Sequence, residues 1–168
     1  MPPELKAYVA NCLGFHEIGR LILDEYILPR IRETGITPME PFTICGPYVP
    51  IKETSSTDSY YDRVILWQKF NKKIVTINEQ TMLECQLMLP ILDGNRDVDE
   101  GIADEMRFWY HKGLGSIYAL RTDFRRSENI GCIVHPHLQS VIERSEGKLC
   151  TSMDEWFDEM EGYYKSYQ

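Results

Sequence analysis

QLMLPILDGNRDVDEGIADE, residues 86–105, decides the fold, because it holds two elements and the turn between them. QLMLPILDG (86–94) is a nearly unbroken apolar run ended by Asp-Gly, the pattern of a strand buried on both faces. Pro90 is awkward inside such a strand, since it cannot donate to a ladder. After the acidic turn DVDEG the sequence predicts a helix to about His111, stopped by Gly113. A buried strand feeding a helix through a short turn is the repeating half of a parallel α/β architecture.

The same alternation recurs on either side. AYVAN (7–11) reads as the first strand. A helix follows from about Glu17 to Glu33, with Ile18, Leu21, Ile22, Tyr26 and Ile31 at near-helical spacing. Pro29 interrupts that helix and Gly35 stands where a C-terminal cap belongs. ITPMEPF (36–42) is a second short strand, and 43–62, rich in Gly, Pro, Ser and Thr, reads as a long loop or lid. Short helices are predicted over 63–73 and 78–85, and a strand over GSIYALR (115–121). TDFRRSENIGC is a polar loop, followed by a helix from about His137 to Arg144 and a brief strand KLCT (148–151). A last helix starts at Ser152, with Glu155 completing a capping box. The expected fold is α/β: a doubly wound five-stranded parallel sheet with helices on both faces. One domain over 1–168 accommodates it, with 43–72 as an expanded loop or lid region. Ligands of such sheets bind beyond the carboxyl ends of the strands. NCLGF, LDGNRDVDEG and RTDFRR converge on that rim.

Composition narrows the function classes. No run of about 18 apolar residues is present, so no membrane span is expected. The start MPPELKAYVANCLGF lacks the features of a signal peptide, which makes the cytoplasm the expected location. The five cysteines are scattered, odd in number and without a CxxC, which speaks against a disulfide framework or a zinc site. A net charge of −8 makes nucleic acid an unfavourable partner. There is no GxGxxG, no GxxxxGK[ST], no GxSxG and no HExxH, so no cofactor and no metal are expected. His135 and His137 read as loop histidines.

Carboxylates remain as the reactive groups. Asp93, Asp97, Asp99, Glu100, Asp104 and Glu105 fall within thirteen residues. Ordinary helix-start charge explains part of this: Asp99 suits an N-cap and Glu100 the positive end of the helix. It leaves Glu105 unexplained. Glu105 lies four residues after Gly101, on the same helical face, and a glycine there leaves room for a ligand above the carboxylate. Asp97 and Asp99 can approach the same space. A carboxylate nucleophile with a second carboxyl beside it is what retaining glycosyl transfer needs.

LDG (92–94), DVDEGIADE (97–105) and YHKGLGSIYALRTDFR (110–125) together resemble the nucleoside 2-deoxyribosyltransferase family. AYVANCLGF followed by EIGR resembles that family's opening, and VHPHLQSVIERSEGKLCTSMDEW its ending. The resemblance implies a flavodoxin-like domain that forms homo-oligomers and binds a small nucleoside and a nucleobase. It implies cleavage of the N-glycosidic bond of a 2′-deoxynucleoside through a covalent deoxyribosyl-glutamate, followed by transfer of the sugar to another base. Residue by residue, the nucleophile falls on Glu105 and the acid that handles the base's proton on Asp99. The tyrosine that orients the glutamate falls on Tyr8. Phe15 belongs to the turn over the base, Asn78 to a position near the base, and Asp93 to the LDG turn. Asp97 and Gly101 line the same turn. His135 replaces an asparagine that reaches the neighbouring subunit's sugar. Tyr8 also reads as a buried strand aromatic, and Asn78 as a helix N-cap. The chain departs from the family pattern at Gln86, Glu100, Ile102, Asp104, Arg107, Phe108 and Trp109. Two other functions stay open. One is N-glycoside hydrolysis of a nucleoside 5′-monophosphate, with Arg121, Arg125, Arg126 and His135 as phosphate donors. The other is nucleoside binding without chemistry.

Overall fold

The computed structural model describes residues 4–94 and 97–168, so Asn95 and Arg96 of the expected LDGNRDVDEG rim lie outside the described residues. Its centre is β1 (Lys6–Tyr8), paired in parallel with β2 (Thr37–Met39) on one side and β3 (Leu87–Met88) on the other. A second parallel pair joins β4 (Tyr118–Leu120) to β5 (Lys148–Cys150). The strands therefore form two ladders, of three and two strands, and not the one continuous five-stranded sheet that the sequence predicts.

The break falls at Pro90. Proline has no N–H to give a ladder, so β3 stops short and the 86–94 run carries only two ladder residues. Hydrogen bonds still cross the seam. Isolated parallel bridges join Met88 to Ile117 and Ile91 to Leu120, and the Leu120 N–H donates to the Pro90 carbonyl at 2.9 Å. Read across the seam, the spatial order is β2-β1-β3-β4-β5.

Alternation along β1 and its continuation divides the core in two. Leu5, Ala7 and Val9 join Leu23, Ile27, Ile31, Trp156 and Phe157. Tyr8, Ala10 and Cys12 join Met82, Ile102, Met106, Trp109 and Ile142. Helices accordingly cover both faces. On the first lie α1 (Glu17–Ile22), α2 (Leu28–Glu33) and α8 (Met153–Tyr167). On the second lie α5 (Tyr60–Leu83), α6 (Glu100–Lys112) and α7 (Pro136–Arg144). A π-helical turn, Leu23–Ile27, joins α1 to α2. It is the form that the interruption expected at Pro29 takes. Pro29 cannot donate to the carbonyl four residues back, and Leu28 donates five back, to Leu23, just before it.

The loop expected over 43–62 is mostly helical. α3 (Pro41–Cys45), a 3₁₀ turn (Gly46–Tyr48) and α4 (Ile51–Ser55) take up most of it, with short non-helical links at 49–50 and 56–59. Pro41 and Pro47 occupy first-turn positions, where a missing N–H costs nothing. The two short helices expected over 63–73 and 78–85 are one helix, α5, capped by Ser59. No glycine or proline interrupts Tyr60–Leu83, so nothing in the polar stretch TINEQ ends it. Among the described residues no helix is long and apolar enough to cross a membrane.

Candidate active site

The turn into α6 is built by Asp99. Its Oδ1 accepts the backbone N–H of Gly101 at 2.9 Å and of Ile102 at 3.3 Å, satisfying two of the helix's unpaired donors. One turn later the helix carries Glu105 toward β1 and α5. There the Tyr8 hydroxyl donates to Glu105 Oε1 at 2.7 Å and Asn78 Nδ2 donates to the same oxygen at 3.1 Å. Both donors are neutral, and both use Oε1. Oε2 has no donor among the described residues. Tyr8 is fully buried at the end of β1, which makes it the aromatic of the second core as well as a donor. Asn78 lies inside α5, not at a helix start, so the N-cap role is not the one it plays. The Cys45 thiol donates to Asn78 Oδ1 at 3.4 Å and so turns the amide nitrogen toward Glu105.

Burial pushes the Glu105 carboxyl up to about 7. The hydrogen bonds from Tyr8 and Asn78 pull it back down, while the charges of Asp99 and Asp104 add to the rise. Burial, and then Glu105's charge and hydrogen bond, push the Tyr8 phenol far above its ordinary range, so the proton of that pair stays on Tyr8. Tyr8→Phe keeps the ring in the core and removes the shorter donor. The Glu105 carboxyl of that variant is expected to titrate above about 7. The pH dependence of a ¹³C-labelled glutamate carboxyl signal checks this.

Glu105 stands at the junction of two cavities. The larger, about 420 Å³, is lined by Glu105, Asn78, Asp99 and Gly101. Phe15, Phe42, Val49, Trp67, Phe70 and Ile74 make up most of the rest of its lining. The smaller, about 240 Å³, shares Ile74, Asn78, Gly101 and Glu105 and adds Glu79 and Asp104. A Cβ at Gly101 would meet only Asp99 Oδ1, at 3.1 Å, so the glycine leaves the space beside both carboxylates open.

Tyr8, Phe15, Asn78, Asp99, Gly101 and Glu105 are thus brought together. Three other expected substrate contacts are not. The Asp93 carboxylate accepts the Thr122 N–H at 2.9 Å, the Thr122 hydroxyl at 2.7 Å and the Asp123 N–H at 3.1 Å. It ties its own turn to the loop after β4 and does not line Glu105's cavities. Asp97 and His135 line a separate cavity of about 380 Å³ with Arg107, Arg121 and Arg126. His135 caps α7, its Nδ1 accepting the His137 N–H at 3.3 Å, and its Nε2 faces Glu128 at 3.1 Å. Arg125 folds back on Asp123. The guanidinium cluster considered for a 5′-phosphate therefore does not line the cavities at Glu105.

Sequence reasoning missed the lining that Phe42, Cys45, Val49, Trp67 and Phe70 give the larger cavity. Trp67 and Phe70, three apart on α5 and packed edge to face, were the available signal. It also missed Glu40, 2 % exposed, whose carboxylate accepts the N–H groups of Phe42 and Thr43 at 2.9 Å each. Arg20 and Asn11 donate to Glu40 at 3.4 and 3.2 Å. Glu40→Ala strips α3 of its cap and leaves Asn11 short of a partner. An expected loss of about 3 kcal/mol follows, read from the denaturant midpoint.

No known protein family and no curated protein matches the chain by sequence. Solved structures do match it by fold. A conserved protein from Enterococcus faecalis superposes with a TM-score of 0.68 at 21% identity, covering 96% of this chain and 99% of that one. A 2-deoxyribosyltransferase from Leishmania mexicana gives 0.64 at 15% identity, over 96% and 99% of the two chains. A 2-deoxyribosyltransferase from Bacillus psychrosaccharolyticus gives 0.65 at 15% identity, over 96% and 95%. At these identities the likeness is one of fold.

Proposed function

We propose that the chain is a nucleoside 2-deoxyribosyltransferase. Glu105 Oε2 attacks the anomeric carbon of a 2′-deoxynucleoside and the C–N bond to the base breaks. Asp99, whose Oδ1 is held by the start of α6, takes a proton from solvent on Oδ2 and passes it to the departing base. The sugar remains as an ester on Glu105. A second base then attacks the anomeric carbon through a ring nitrogen, its proton passes to Asp99, and the carboxylate is released.

The observation that carries this reading is the convergence of two neutral donors on one oxygen of a buried carboxylate that faces two cavities at once. Neutral donors hold Glu105 in place without pairing its charge, so the second oxygen stays nucleophilic. Ionised Glu105 is the reactive form, and the rate is expected to rise with pH toward about 7. The two solved 2-deoxyribosyltransferases of similar fold support the same substrate class. We also read 1–168 as one domain that works as a homo-oligomer. Within its own chain His135 caps α7 and faces Glu128; the family resemblance is what implies a sugar contact from that position on a neighbouring subunit's site.

The test is base exchange. A deoxynucleoside incubated with a different free base is expected to yield the exchanged nucleoside. Free deoxyribose without exchange would favour hydrolysis, and no reaction with deoxynucleosides or their monophosphates would favour binding alone.

A further inference from the structure

We propose that Cys45 is a positioning residue for Glu105: its thiol holds the Asn78 amide in the orientation that presents an N–H to the carboxylate. Three elements meet in this relay. Cys45 is the last residue of α3, Asn78 lies in α5 and Glu105 in α6. The Cys45 thiol donates to Asn78 Oδ1 at 3.4 Å, and Asn78 Nδ2 donates to Glu105 Oε1 at 3.1 Å. All three residues line the larger cavity.

The two ends of an asparagine amide are close in shape and opposite in hydrogen-bonding sense. A half-turn of the Asn78 amide would bring Oδ1 to Glu105 Oε1 in place of Nδ2. Two acceptors would then face each other, an arrangement that suits only a protonated Glu105. The orientation of Asn78 and the charge of Glu105 are therefore linked. The thiol biases that orientation. Cys45 is 6% exposed, and burial, then the charges of Glu40 and Glu105, push its thiol above the ordinary value. The sulfur thus keeps its proton and meets Oδ1 as a donor. No other donor reaches Oδ1 among the described residues.

Cys45 is itself placed by the segment that the sequence reads as a loop or lid. Glu40 accepts the N–H groups of Phe42 and Thr43 and so fixes the start of α3, a five-residue helix that ends at Cys45. The seating of α3 is in this way coupled to the ionisation of a carboxylate on α6.

The effect on the carboxyl is independent of the transferase chemistry, and only the effect on the rate rests on that reading. The test follows the ¹³C carboxyl signal of Glu105 against pH in the intact, ligand-free protein. Cys45→Ala and Cys45→Ser differ from each other by one hydroxyl. In Cys45→Ala the ratio of ionised to neutral Glu105 at pH 7 is expected to fall about threefold, the worth of a modest hydrogen bond. Cys45→Ser is expected to restore most of that ratio, because a hydroxyl can donate to the same oxygen. In an Asn78→Leu background Cys45→Ala is expected to change nothing, since the route to Glu105 is gone. A titration that Cys45→Ala leaves in place overturns the inference. So does a Cys45→Ser protein that matches Cys45→Ala, or an effect that persists without Asn78. In the exchange assay, Cys45→Ala is expected to move the rising limb of the rate to higher pH. A carboxyl that shifts as described in a protein that exchanges no deoxynucleoside sinks the transferase reading and keeps this one. Exchange with an unmoved carboxyl does the reverse.

Discussion

Glu105→Gln is expected to reduce base exchange by about a thousandfold or more, because it removes the attacking oxygen while preserving nearly every other feature of the site. A glutamine oxygen can still accept from Tyr8 and Asn78, the two donors on Oε1. The volume is unchanged, and the larger cavity keeps its walls. Substrate affinity should therefore survive while turnover does not. That split separates a reacting group from a merely supporting one, since loss of a packing or binding contact would raise KM as well. Glu105→Ala is less informative, because it also leaves Tyr8 with an unpaired buried hydroxyl. Steady-state kinetics on the exchange reaction, together with calorimetric binding of the same deoxynucleoside, measure both sides. A Glu105→Gln protein that keeps a tenth or more of the exchange rate would end the case for Glu105 as nucleophile.

The same substitution is expected to stabilise the protein above neutral pH. The carboxyl of Glu105 rises from an ordinary 4.5 to about 7 in the folded chain, chiefly because burial disfavours its charge. A group raised in this way contributes stability fully below its unfolded value, where it is protonated in both states. The contribution falls as pH climbs through the folded value of about 7. The rise from 4.5 to about 7 corresponds to roughly 3 kcal/mol of ionisation cost carried by the folded protein at pH 8. Glutamine carries no such cost. The stability difference between Glu105→Gln and the unsubstituted protein should grow between pH 4.5 and pH 8 and then level off. Groups that titrate alike in both proteins cancel in that difference. Urea unfolding at several pH values measures it, and a difference that does not change with pH would contradict the burial described for this carboxylate. Together the two results describe a site that holds a destabilising charge because that charge reacts.

The acidic turn was legible in the sequence because its residues act locally. Asp99 caps the helix it precedes, Gly101 follows two residues later, and Glu105 falls one turn on, so a helical repeat suffices to relate them. Tyr8 and Asn78 were not legible from spacing. They lie 97 and 27 residues from Glu105 in the chain and meet it only once β1, α5 and α6 are packed. The resemblance to a family supplied them, and the hydrogen bonds of the folded chain now give each a physical role. The 43–72 segment misled because Pro47 and Pro50, read as breakers, sit at the start of the 3₁₀ turn and just before α4, and because the polar TINEQ stretch of α5 has no feature that stops a helix. With that segment misread, the aromatic wall it builds was out of reach. Asp93 was illegible in another way. It lies close in sequence to reactive-looking residues, yet its carboxylate ties its own turn to the loop after β4. Nothing in a linear pattern distinguishes a carboxylate that clamps a turn from one that waits for substrate.

The most direct measurement is the mass of the protein during reaction with a single deoxynucleoside and no acceptor base. Rapid acid quenching, proteolysis and mass spectrometry should reveal one deoxyribosyl group, attached to the peptide that contains Glu105 and absent from the Glu105→Gln protein. Base released without any adduct, or an adduct on a different residue, would contradict a covalent deoxyribosyl-Glu105 intermediate.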